Sequence, residues 1–223
     1  MARVLTYPAH EILTQMTRTP SLIVKDWCVY RGDHAVVSNL SFDATPGTLV
    51  QVGGANGAGK TSLLRSLCGL LHPETGSAHF GPLDCLRKRQ DWCEHFFYLG
   101  HHPPLKADLS AAENLRYWIA PRRRVAAPDI TTALERTGAP RLHDQRVRTM
   151  SAGQRRRVAL ASLLLLPAAI WILDEPTTHL DVAGQRLVSD LIAAQLAGGG
   201  IVIAALHHEL AAVPAQTLRV QLG

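Results

Sequence analysis

A chain of 223 residues with 47% hydrophobic content can bury a substantial core as one domain with an inserted subdomain, and no internal repeat or low-complexity tract divides it. Its net charge of +5 is largely arginine, including Arg122-Arg123-Arg124 and Arg155-Arg156-Arg157. These runs read as solvated faces, because no aromatic residues interleave with them as base stacking on nucleic acid requires.

In chain order, residues 1–20 lack the apolar core of a signal peptide and read as a flexible extension, leaving 21–223 as the folded domain. The cysteines Cys28, Cys68, Cys85 and Cys93 form no C-x-x-C pair and have no histidine at zinc-ligand spacing, which points to a reducing compartment. From Leu22 to Gly53 the chain is β-rich, with turns at Arg31-Gly32-Asp33 and Thr45-Pro46-Gly47.

The apolar run Leu49-Val50-Gln51-Val52 then meets Gly53-Gly54-Ala55-Asn56-Gly57-Ala58-Gly59-Lys60-Thr61-Ser62, followed by leucines at helical spacing. G-x-x-x-x-G-K-T between a strand and a helix is a phosphate cradle. The glycines let backbone N–H groups face the anion, Lys60 reaches the β/γ oxygens, and Thr61 offers a hydroxyl to Mg²⁺ at a helix N-terminus.

The stretch from about 99 to 167 reads as mostly helical, with loops at Pro103-Pro104 and Pro121, and forms an inserted helical subdomain. Its last helix runs from Ser151 to Leu166, with Ser151 as cap and Ser151-Ala152-Gly153-Gln154 as a second anion-binding surface. The apolar run Val158 to Leu173 is shorter than the ~20 residues of a membrane span and is interrupted by Ser162 and Pro167. It reads as that helix and then a strand, so a transport role would require a separate membrane chain.

The strand Ala169-Ile170-Trp171-Ile172-Leu173 ends in Asp174-Glu175 at the C-terminal edge of a parallel sheet, where open α/β sheets bind ligands. There Asp174 would assist Mg²⁺ and Glu175 would polarise the attacking water. A helix around Gln185 to Leu196, a Gly198-Gly199-Gly200 break and a strand Ile201 to Leu206 ending at His207 complete an α/β fold with a parallel central sheet.

These features, in this order, resemble the ATP-binding cassette family over nearly the whole chain from about Leu22. The resemblance implies a P-loop ATPase fold with an antiparallel β-subdomain and a helical insertion, and a head-to-tail dimer of two copies around ATP and Mg²⁺. Gly54 to Thr61 match the Walker A loop, Ile170 to Asp174 match Walker B, and Leu180-Asp181 match the end of the D-loop. Glu175 takes the place of the catalytic base and His207 that of the switch histidine. Ser151, Gly153 and Gln154 match the signature that completes the opposite copy's site. Tyr30 falls where the family stacks an aromatic ring on adenine, although a tyrosine after a short strand also serves simply for packing.

Two departures narrow the resemblance. His101 stands where the family carries its Q-loop glutamine, and Ala152 replaces the first glycine of Ser-Gly-Gly-Gln. With Leu99-Gly100-His101 before a proline, Glu113-Asn114-Leu115-Arg116-Tyr117 and Trp171 to Pro176, they are similar to the haem-exporter ATPases of cytochrome c maturation. That implies a peripheral subunit on the cytoplasmic face of the inner membrane, with membrane-spanning partners of the CcmB kind and CcmC as a further candidate. His101 has no amide oxygen for Mg²⁺, so its contact with metal or nucleotide is open, as is a simple polar-loop role. The alternatives are the ATPase of another exporter, or a soluble ATP switch acting on DNA or ribosomes. The latter usually needs long coiled coils or a second cassette, and this chain has neither.

Overall fold

The computed structural model describes residues 19–122, 127–206 and 216–223. His207, His208, Arg123, Arg124 and all but the last two residues of the expected 1–20 extension lie outside the described residues.

Strands Leu22–Arg31 (β1) and His34–Ala44 (β2) form an antiparallel hairpin. Gly32 turns it at φ 57, a left-handed conformation glycine adopts without a Cβ penalty. Leu49–Gly53 (β3) leads through the glycine loop into helix Lys60–Leu67 (α1). Next come Thr75–Phe80 (β4), Leu83–Asp84 (β5), helix Arg89–His95 (α2) and Phe96–Leu99 (β6). Helices Ala111–Ile119 (α3), Ala127–Arg136 (α4) and Ala152–Leu165 (α5) fill the segment expected to be helical, with short 3₁₀ turns at Pro140–Leu142 and Val147–Thr149. Ile170–Asp174 (β7), helix Val182–Ala197 (α6), Ile201–Ala205 (β8) and Thr217–Gln221 (β9) end the chain.

The strands make two sheets, an antiparallel one in the order β2-β1-β4-β5 and a parallel one in the order β6-β7-β8-β3-β9. The α/β reading with a central parallel sheet and a second antiparallel sheet therefore holds. All five residues of β7 and of β8 are buried, as expected of parallel strands covered on both faces. Because successive side chains point to opposite faces, each strand feeds two cores. Ile170 and Ile172 join Val50, Val52, Leu63 and Leu64 on the α1 side. Trp171 and Leu173 join Leu99, Leu115, Leu134 and Leu160 on the side of the inserted helices.

Capping fixes where the helices start. Ser110 accepts from Glu113 N at 3.2 Å while Glu113 accepts from Ser110 N at 2.8 Å, a reciprocal box that starts α3. Asn114, 2% exposed, ties the preceding loop down: its Oδ1 accepts from Lys106 N at 2.7 Å and its Nδ2 donates to Lys106 O at 3.0 Å. The Glu113-Asn114 pair thus has a local structural job. The same box recurs at α5, where Ser151 Oγ accepts from Gln154 N at 3.2 Å and Gln154 Oε1 accepts from Ser151 N at 2.8 Å. Helix α6 begins before the Gln185 expected from its pattern, because Asp181 Oδ1 accepts from Gly184 N at 2.9 Å and caps it.

Candidate functional site

Parallel pairing aligns the C-terminal ends of β3, β6 and β7 at one edge of the sheet. The glycine loop leaves β3, Gly100-His101 leaves β6, and Glu175 leaves β7, so residues distant in sequence share one cleft of about 380 Å³. Asn56, Lys60, Thr61, Ser62, His101 and Glu175 line it, together with Gly57, Gly59 and Arg31.

The loop takes its shape from Gly54, Gly57 and Gly59, at φ 138, 85 and 101. At Gly59 there is also no room for a side chain, since a Cβ would lie 2.6 Å from Val36 O on β2. The antiparallel sheet therefore seats directly against the start of α1. No side chain caps α1 and no acidic residue occupies its first turn. Its leading N–H groups and positive dipole end are left for an anion. Lys60, 6% exposed, donates to Gly54 O at 2.7 Å and to Ala55 O at 3.0 Å. An ammonium has three donors, so one remains to meet a phosphate oxygen.

Asp174 is 1% exposed, and apart from the Thr61 hydroxyl beside it no donor satisfies either carboxylate oxygen. Burial pushes its pKa above the ordinary carboxylate range and Glu175 adds to the push, while the Thr61 hydroxyl, His101 and Arg156 oppose it. A buried polar group without a partner costs on the order of 1–3 kcal/mol, more when charged. Two oxygens so placed beside a threonine hydroxyl suit a hydrated divalent cation. Asp174→Asn is accordingly expected to stabilise the nucleotide-free protein by about 1 kcal/mol, a rise of roughly 2–4 °C in Tm for a chain of this size. An unchanged or lower Tm in thermal denaturation at neutral pH would contradict this reading of the carboxylate.

Glu175 adopts φ 50, a left-handed backbone that a non-glycine residue rarely takes. Its Oε2 lies 3.1 Å from His101 Nδ1 and accepts from Thr178 Oγ1 at 3.2 Å. The histidine in the glutamine's usual place thus sits against the expected base and on the wall of the cleft.

Ser151, Gly153 and Gln154 do not line this cleft. They open α5, and Gly153 lies so close to the turn after β7 that a Cβ there would be 2.8 Å from His179 O. Tyr30 is 45% exposed on β1 and does not line the cleft, whereas its neighbour Arg31 does. Sequence reasoning overlooked Arg31, Thr178 and Arg156. Arg156 stands in a run read as a solvated face, yet it is 3% exposed. Burial pulls its pKa down to about 10, with Asp174 and Glu175 pulling it back, so it remains a cation at neutral pH. Its position within α5 was the available signal, since the neighbouring apolar residues face a core.

A phosphate loop, a buried aspartate and an adjoining glutamate at one edge of a parallel sheet, with a capped helical signature in the inserted segment, define an ATP-hydrolysing cassette. Residues 37–178 match the ABC transporter family. The chain is 48% identical over 181 residues to the cytochrome c biogenesis ATP-binding export protein CcmA of Methylococcus capsulatus, covering 81% of this chain and 87% of that protein. Against the protein so named in Nitrosomonas europaea it is 43% identical over 200 residues, 87% and 94% of the two chains. A putative ABC transporter ATP-binding protein from Pyrococcus furiosus superposes with a TM-score of 0.79 at 27% identity, over 91% of this chain and 97% of that one. This chain therefore belongs to the ABC transporter ATPase family, in the group of the CcmA cytochrome c biogenesis export ATPases.

Proposed function

We propose that the chain hydrolyses ATP with Mg²⁺ as one of two copies that share two nucleotides, and so drives the membrane-spanning subunits of the haem exporter of cytochrome c maturation. The observation that carries the chemistry is the convergence of Lys60, Thr61, His101 and Glu175 on one cleft, beside a buried Asp174 with the Thr61 hydroxyl next to it. Export in cytochrome c biogenesis is supported by the relatives' names and extent of match.

In this reading the loop N–H groups and Lys60 bind the β- and γ-phosphates, and Tyr30 beside Arg31 takes the adenine. Thr61 and, through water, Asp174 hold Mg²⁺, which when bound neutralises charge on the phosphate oxygens. Glu175 takes the proton from the attacking water, and His101 and Thr178 orient its carboxylate. His207, outside the described residues, is given the role of γ-phosphate sensor by the resemblance to the family's switch histidine. Ser151, Gly153 and Gln154 lie outside the cleft of their own chain, which favours their use on the nucleotide of a second copy. Among the described residues no helix is long and apolar enough to cross a membrane. The names of the relatives support a transport path in partner chains, CcmB-like with a CcmC-like chain as a further candidate, and this subunit on the cytoplasmic face of the inner membrane.

The test replaces the chromosomal gene by a Lys60→Ala version. Haem staining of denaturing gels should show c-type cytochromes abolished, because covalently attached haem survives denaturation. Cytochromes of the b type should persist in reduced-minus-oxidised spectra. Loss of both would indicate haem supply, and loss of neither would assign the cassette to another exporter.

A further inference from the structure

Arg156 projects from the first turns of α5 into the space behind the catalytic edge, and every hydrogen bond it makes there goes to a main-chain carbonyl. Its Nε donates to Pro176 O at 3.0 Å, and its Nη2 donates to Asp174 O at 3.0 Å and Glu175 O at 2.6 Å. Its Nη1 donates to Gly100 O at 2.9 Å and His101 O at 3.4 Å. One guanidinium thus holds three successive carbonyls around Glu175 and two around His101.

Glu175 needs such a hold. A left-handed conformation in an L-residue with a Cβ costs roughly 1–2 kcal/mol and persists where the surroundings over-determine it. The carbonyls before, at and after the strained residue are all fixed by the same planar fork, which presents its donors in a rigid array that a lysine ammonium lacks. The other half of the fork fixes the turn that places His101 Nδ1 against the Glu175 carboxylate. Beyond the strand ends at Leu99 and Asp174, Glu175 N still donates to Ala205 O at 3.1 Å and Thr178 N to Glu175 O at 3.2 Å, and Arg156 adds the carbonyls on either side of that residue and the turn at His101.

We infer that Arg156 is a positioning residue for hydrolysis, holding Glu175 in its left-handed backbone and His101 against it from the helix that bears the Ser151 signature. The inference rests on Glu175 being the base and deepens that reading. It gives the signature helix a direct mechanical hold on the hydrolytic turn of its own chain. A small rotation of α5 would move the carbonyls of Asp174, Glu175 and Pro176 before it moved Lys60, whose loop Arg156 does not touch.

The test measures ATP turnover and ATP affinity on the full chain carrying Arg156→Lys or Arg156→Gln, alone and combined with Glu175→Gln. Arg156→Lys should lower kcat at least ~10-fold and Arg156→Gln more, while Kd for ATP stays within about 2-fold, because the interaction removed positions the base rather than the phosphates. In the Glu175→Gln background the Arg156 substitutions should cost less than about 2-fold further, since a residue acting through Glu175 has nothing left to position. Turnover near wild type in both single variants would overturn the inference. So would parallel loss of kcat and affinity, or losses that multiply in the double variants. Failure of both single variants to fold would make Arg156 a stability residue and overturn it too. Residual high turnover in Glu175→Gln alone would instead remove the underlying assignment of the base, an outcome distinct from all of these.

Discussion

Glu175→Gln is expected to bind ATP with Mg²⁺ and to hydrolyse it at least ~10²-fold more slowly, the lower end of what a positioned general base contributes. The amide keeps the volume of the carboxylate and an oxygen that can accept from Thr178 Oγ1, now 3.2 Å away, but it has no basicity to offer a water. The phosphate loop is untouched, because Lys60 donates its hydrogen bonds to Gly54 O and Ala55 O rather than to Glu175. Binding and hydrolysis should therefore separate. Retained nucleotide should drive two copies together, visible as an ATP-dependent doubling of mass by light scattering. Single-turnover phosphate release reads the chemistry, and a rate close to wild type would mean that another group activates the water.

Lys60→Ala should fail one step earlier. The ammonium is 6% exposed and held within the loop, so it is already oriented when a nucleotide arrives. Hydrogen bonds to charged groups contribute about 1.5–3 kcal/mol, which corresponds to a loss of roughly 10- to 150-fold in ATP affinity. Gly54 O and Ala55 O lose a donor at the same time, though Gly54 is half-buried and Ala55 exposed, so water can replace it. Equilibrium binding of a fluorescent ATP analogue measures the effect. Affinity within a factor of two of wild type would place the phosphates elsewhere. The two variants thus divide the site into a binding half at the start of α1 and a chemical half in the turn after β7.

Much of this site was legible because its parts are local. A glycine loop between an apolar run and a leucine-spaced helix needs no tertiary information. The same is true of a run such as Ile170 to Leu173 ending in two carboxylates, since burial on both faces of a parallel strand requires continuous apolarity. The cap of α5 could be read from Ser151, although its reciprocal partner Gln154 was assigned to nucleotide alone. The start of α6 was missed because Asp181 had been read as part of the D-loop rather than as a cap.

Residues whose partners are remote were not legible. Arg156 sits in a run of three arginines, and its neighbours show why the run misleads. Arg155 donates to Met150 O nearby, and Arg157 pairs with Asp181 at 2.7 Å at the protein surface. The carbonyls that hold Arg156 lie about 20 and 56 residues away in sequence, and a carbonyl leaves no trace in a residue's identity. Arg31 was overlooked for a related reason, because a hairpin residue reaches the cleft only once the antiparallel sheet is seated against Gly59.

The reciprocal bond between Ser151 and Gln154 bears on the speed of assembly. Ser151 Oγ is occupied as an acceptor by Gln154 N, and the Gln154 amide oxygen is committed to Ser151 N. Immobilising a glutamine side chain costs roughly 1.5–2 kcal/mol of rotamer entropy, and here that loss is incurred during folding. On the proposed shared site, an incoming copy carrying ATP would meet side chains already arranged. Encounter would be limited by orientation, in the ordinary range of about 10⁵–10⁷ M⁻¹s⁻¹ for rigid partners. The lifetime of the pair, and with it the pace of the cycle, would be set by how soon Glu175 removes the γ-phosphate that joins them.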